Sequence, residues 1–195
     1  MNRFLICIAC VLLIVSCKEK KKKPEVSAND FFPVTTYLKG ELARLDTSLA
    51  SFYKTETKDG KSDTVPIKNS EVKFYAKDFL ELPDITTDKL KDDYKIEHLY
   101  DELQNAFVFM FTTNEDHPVR REDVTVDPQP NEQGKNNIRS VFIQLWQKKG
   151  DTTFRKNMMW ESGKRFEITT ISYIGETEKN KKLQVFWNGF ENTNR

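Results

Sequence analysis

Apolar residues follow three regimes along this chain. From Phe4 to Val15 they are unbroken, from Asn29 they recur in steps of three and four, and after residue 104 they alternate with polar ones. The first regime is too short to span a bilayer: twelve helical residues rise about 18 Å against a hydrocarbon core of roughly 30 Å. With Asn2 and Arg3 before it, the run has the form of a secretory leader.

The second regime predicts an amphipathic helix. Asn29 or Asp30 can cap it, Pro33 falls in its first turn, and Leu38, Leu42, Leu45, Leu49 and Phe52 form one apolar stripe. "SFYKTETKDGKSDTVPIKN" then alternates around Asp59-Gly60, the dipeptide of a tight hairpin. Val72, Phe74, Tyr75, Phe79 and Leu80 place a second helix over Ser70 to Leu82, stopped by Pro83. Residues 84–104 fit either a short helix followed by a strand or two helical turns.

The third regime is strand-like. "NAFVFMFTT", "VRREDVTVDP", "NNIRSVFIQLWQKK", "DTTFRKNMMWES", "KRFEITTISYIG" and "KKLQVFWNG" are separated by turn signals such as Lys149-Gly150-Asp151 and Ser162-Gly163-Lys164. The predicted fold is α+β, with N-terminal helices packed on a curved antiparallel sheet of about six strands in a meander.

The apolar leader ends in Ile14-Val15-Ser16-Cys17. This stretch resembles the lipobox of bacterial lipoproteins, with Ile14 where leucine is usual. The resemblance covers residues 1–17 and implies cleavage before Cys17 and acylation of that cysteine. Two or three acyl chains hold a protein stably at a membrane where one does so marginally. The division expected is a signal peptide over 1–16, a lipidated Cys17 with a tether over 17–28, and a single globular domain over 29–195. Lys18, Lys20, Lys21, Lys22, Lys23 and Pro24 leave the tether little to bury. Lys18 follows the cysteine directly, without the aspartate that marks inner-membrane retention in Gram-negative members of the family, so the resemblance implies the outer membrane. "NDFFPVTTYLKGELARLD", "KNMMWE" and "LQVFWN" are similar to a group of bacterial outer-membrane lipoproteins to which no activity is assigned.

Composition matters after cleavage. Cys7 and Cys10 leave with the leader and Cys17 is consumed by lipid, so disulfide frameworks, thiolate metal sites and cysteine nucleophiles are excluded from the domain. The 31 basic residues face 30 acidic ones, and the loss of Arg3 evens them, which speaks against a nucleic-acid partner. Glycines at 40, 60, 134, 150, 163, 175 and 189 are too dispersed for a phosphate loop or a dinucleotide fingerprint, so no nucleotide is expected.

Candidate chemistry is sparse. His98 and His117 belong to no metal or catalytic spacing and read as surface residues, and no GxSxG elbow presents a serine. Glu115, Asp116, Glu122 and Asp123 form an acidic cluster in sequence that could hold a hard cation, although Arg120, Arg121 and the lack of a DxDxDG loop favour solvated charges. Trp146, Trp160 and Trp187 fall on three predicted strands, either as sheet core or as a platform for an apolar or carbohydrate ligand. No cofactor and no metal are expected. The function these readings favour is that of a lipid-anchored, non-catalytic accessory protein of the cell envelope that meets another envelope protein. The alternatives are a carrier or binder of a small apolar or carbohydrate ligand on the sheet, and a glycosidase built on a carboxylate pair.

Overall fold

The computed structural model describes residues 32–130 and 136–187. Cys17 and the tether lie outside the described residues. The chain enters through helix α1, Val34–Asp46, with Pro33 in the N-cap position, where its missing N–H removes nothing from the helix. Val34, Leu38, Leu42 and Leu45 are its buried stripe. The stripe stops there: Leu49 stands exposed beyond the helix end, and Phe52 belongs to the first strand.

Strands β1 (Phe52–Lys58) and β2 (Lys61–Ile67) form the expected hairpin. Asp59 and Gly60 turn it with φ of 51° and 75°, the left-handed pair that a two-residue loop demands. The helix predicted over Ser70 to Leu82 is two short ones, α2 (Asn69–Tyr75) and α3 (Lys77–Leu80). The chain changes axis at the fully buried Ala76, so that Val72, Ala76 and Phe79 all pack inward. Pro83 ends the helical path, since the residue before a proline is pushed out of helical backbone.

Residues 84–104 resolve into a loop, a single 3-10 turn at Lys91–Asp93 and strand β3 (Lys95–Asp101). The remaining strands are β4 (Ala106–Thr112), β5 (Val119–Pro130), β6 (Asn136–Lys149), β7 (Thr152–Glu161), β8 (Arg165–Ile174) and β9 (Thr177–Trp187). These last six are the predicted meander. The sheet nevertheless has nine strands rather than about six, all antiparallel, in the order β2-β1-β9-β8-β7-β6-β5-β4-β3. Two causes account for the difference. The β1–β2 hairpin docks on the C-terminal strand, pairing Phe52 with Trp187, and β3 pairs with β4 by setting Ile96, His98 and Tyr100 opposite Phe111, Phe109 and Phe107.

This topology explains the helical layer. β2 and β3 are the two opposite edges, so residues 68–94 must cross from one edge to the other, and they do so over one face. Phe79 of α3 meets Trp160 at 5.5 Å and Phe166 at 5.6 Å, both edge-on. Trp160 stacks on Phe166 at 5.4 Å and touches Trp187 at 5.6 Å. Polar contacts fix the layer laterally: Tyr37 Oη donates to Ser162 Oγ at 2.9 Å, and Lys156 Nζ donates to Asp78 Oδ1 at 2.6 Å. The opposite face carries no helix among the described residues.

Phe79 is therefore the keystone of the helix–sheet contact. Phe79→Ala is expected to lose about 3–5 kcal/mol, the range for a fully buried phenylalanine. Phe74→Ala, on the exposed side of α2, is expected to change stability by less than about 0.5 kcal/mol. Urea unfolding of the two variants measures the contrast.

Candidate functional site

The sheet register decides which candidate residues can meet a ligand. On the covered face lie Ile143 and Leu145 of β6, Met158 and Trp160 of β7, and Phe166 of β8. Trp187 joins them, so Trp160 and Trp187 are core residues locked in the aromatic cluster. A platform of three exposed indoles is not formed. Trp146 sits one residue beyond Leu145, on the uncovered face, and is 43% exposed.

The uncovered face is mixed. Met110, Asp123, Phe142, Met159, Glu167 and Gln184 form one continuous cross-strand row from β4 to β9. Arg121 lies over Phe142 at 6.0 Å and is paired with Asp123, whose carboxylate holds the guanidinium charged. Beside this row Trp146 opposes Arg155 of β7. Arg120 lies over the indole with its guanidinium carbon 5.3 Å from the ring centroid, held there by the Glu115 carbonyl and the Asp116 carboxylate.

A bulge in β5 creates this arrangement. Register slips between Val119 and Arg121, so one extra residue, Arg120, is accommodated. Val119 stays in the core, and Tyr94 Oη donates to its carbonyl at 2.6 Å. Burial pushes the Tyr94 hydroxyl up to about 12, with the nearby Glu122 carboxyl adding to it.

The bulge also disperses the acidic cluster seen in the sequence. Glu115 and Asp116 serve Arg120, Asp123 faces outward to Arg121, and Glu122 turns into the core, 3% exposed. Among the described residues no three histidine, cysteine or carboxylate side chains come together as a metal site. Glu122 Oε1 has no hydrogen-bond partner, and burial, then the carboxylates of Asp84 and Asp123, push its carboxyl up to about 8. It is therefore protonated at neutral pH. Its alternation with Val124 and Val126 was visible in the sequence, but the bulge that separates it from Val119 was not.

The histidines part company. His117 Nε2 lies 2.7 Å from Asp93 Oδ2, and its ring stacks on Tyr94 at 6.0 Å. An aspartate orienting an imidazole is half of a nucleophile-activating relay, but among the described residues no hydroxyl is hydrogen-bonded to that ring. His98 is exposed on β3, stacked over Phe109. A solvent-open hollow of about 250 Å³ is lined by Asp92, Asp93, Lys95 and residues 112–115, and Glu122 does not reach it. Glu122 and Asp84 thus do not flank an accessible cleft as a glycosidase pair would.

Comparison with known proteins is negative throughout: no family model matches the chain, nor does any curated protein or solved structure.

The buried Glu122 carboxyl makes stability depend on pH. Its unfolded form releases the proton near the ordinary value of 4.5, whereas the folded form keeps it to about 8. The folded state binds more protons between those values, so this group's contribution to stability falls as pH rises from about 4.5 to 8 and is level above that. Glu122→Gln mimics the protonated acid. It is expected to leave stability near unchanged at pH 5, to raise it by a few kcal/mol at pH 8, and to flatten the profile between. Urea midpoints at the two pH values measure this.

Proposed function

We propose that this protein is a lipid-anchored, non-catalytic binding module of the cell envelope that works through the uncovered face of its sheet. The observation that carries this reading is the asymmetry of the layers: α1, α2 and α3 close one face, while the other presents Met110, Phe142, Met159 and Trp146 among charged and amide side chains. A face half apolar and half polar is the composition of a recognition surface. Nine hydrogen-bonded strands make it a broad, pre-formed surface, so little ordering accompanies an encounter.

The anchor belongs to the same proposal through the lipobox at Ile14 to Cys17 and the lysine-rich segment after it. A tether of a dozen residues extends up to about 40 Å, enough to let the domain meet a partner embedded in or lying on the outer membrane. The domain is then an accessory that gains its effective concentration from the membrane.

A second reading is favoured by one feature, the exposed Trp146 beside two arginines: a carbohydrate ligand rather than a protein partner. Both readings need no reaction chemistry. The glycosidase alternative receives no support from Glu122, the one carboxyl among the described residues displaced far upward, because it is enclosed.

The experiment for the anchor is fractionation of the full-length protein in its bacterial host. Wild type is expected in the membrane fraction with an N-terminal cysteine bearing fatty acids by mass spectrometry. Cys17→Ala is expected in the soluble fraction with an unchanged melting temperature, since the globular domain expected over residues 29–195 does not include it. A wild-type chain that begins elsewhere and carries no lipid overturns the proposal.

A further inference from the structure

We propose that Trp146, Arg120 and Arg155 form a binding site for an acidic saccharide on the uncovered face. The proposal rests on the reading that this face is the working surface, and it names the ligand class.

Arg155 carries the argument. Its Nε is enclosed and without a hydrogen-bond partner, and among the described residues no carboxylate pairs with its guanidinium. Its neighbours in the sheet are Trp146 on β6, Ile171 on β8, and Thr153 and Asn157 along its own strand, none of them acidic. The guanidinium as a whole is a half-enclosed cation without a carboxylate partner, unfavourable unless something outside the chain completes it, and such a group would meet the terminal Nη atoms because the Nε is closed off. Three other basic groups on the same face have carboxylate partners, Arg121 with Asp123, Lys182 with Glu167 and Arg120 with Asp116, although the Arg120 Nε is itself enclosed without a hydrogen-bond partner. Lys148, which has no ion pair among the described residues, is exposed to solvent. The planar guanidinium of Arg155 matches a carboxylate or sulfate bidentately, so an anionic group is the complement that fits.

Trp146 supplies the second half. Cross-strand partners have Cβ atoms about 5 Å apart, which sets the indole immediately beside Arg155. Arg120 covers one side of the ring, and the exposed remainder of the indole can receive the C–H face of a sugar ring while the acid substituent of that sugar meets Arg155. Gln144 Nε2 donates to Asn157 Oδ1 at 3.4 Å, a long bond that leaves amide hydrogens of both residues for hydroxyl groups one row further along.

Two features select a saccharide over an acidic protein segment. The groups nearest the indole in the ladder are polar, Gln144, Lys148, Thr153 and Asn157, with Ile171 and Tyr173 on the far side of Arg155, whereas the centre of a protein interface is apolar. The surface here is also the open middle of a sheet with no free backbone edge, so an extended peptide cannot add as a strand. The lack of an enclosing wall favours a chain lying across the face over a small metabolite, which would need a concave site.

Binding of the detergent-solubilised full-length protein to immobilised polygalacturonate, dextran sulfate, neutral dextran and poly-glutamate tests the proposal. The expected result is binding to one or both acidic polysaccharides, none to neutral dextran, and weaker binding to poly-glutamate. Trp146→Ala and Arg155→Gln should each weaken polysaccharide binding about tenfold or more, and Lys182→Gln should change it less than about twofold. Trp146→Phe, which keeps an aromatic face, should retain most of the binding and serves if the alanine variant melts early. Absence of binding to either acidic polysaccharide overturns the proposal, as does equal binding of neutral dextran. Poly-glutamate binding as tight as the glycans, indifferent to Trp146, would reduce the site to a charge patch and overturns it too. Membrane fractionation of the same variants should match wild type, so a failure here is separable from a failure of the anchor.

Discussion

Everything in this structure depends on the packing of one aromatic cluster, Trp160 stacked on Phe166 with Trp187 beside them and Phe79 pressed edge-on from the helical layer. A nine-stranded antiparallel sheet has more surface than three short helices can cover. The cluster decides which face they take. It draws in strands from the middle and the end of the chain, and through Phe52 against Trp187 it also fixes the N-terminal hairpin to the C-terminal strand. The uncovered face, with its mixed rows and its exposed indole, is the consequence.

The six strands after residue 104 were legible because each alternates over enough residues and each is bounded by a turn signal. Strand β3 was legible only as one of two alternatives, because Ile96, His98 and Tyr100 alternate too weakly to exclude helix, and its conformation is decided by Phe107, Phe109 and Phe111 across the ladder. The β1–β2 hairpin was legible as a hairpin from Asp59-Gly60. Its membership in the main sheet was not, since that rests on pairing with residues near the far end of the chain. The break at Ala76 likewise has no local marker: alanine is a good helix former, and the change of axis serves the burial of Phe79.

The candidate site shows the same division. The tryptophans could be named from sequence, but not sorted, because sorting needs register. Trp146 and Trp160 both occupy even positions and point to opposite faces, since the β6–β7 hairpin pairs Leu145 with Lys156 and so shifts parity between the strands. Arg155 carried no signal, and Arg120 read only as a countercharge to the acidic cluster. One gains meaning from an absence of acidic neighbours across two ladders, the other from a bulge. Glu122 read as one acid among several in a sequence cluster, and its burial follows from the same bulge.

The helical layer closes one face of the sheet and leaves the other open, and the three indoles divide two to one between them. Acrylamide quenching of tryptophan emission tests this most directly. The wild-type protein should show one readily quenched, red-shifted component and a larger protected, blue-shifted one. Trp146→Phe should remove the quenched component alone. Quenching that persists unchanged in Trp146→Phe, or that disappears in Trp160→Phe or Trp187→Phe, would contradict the account.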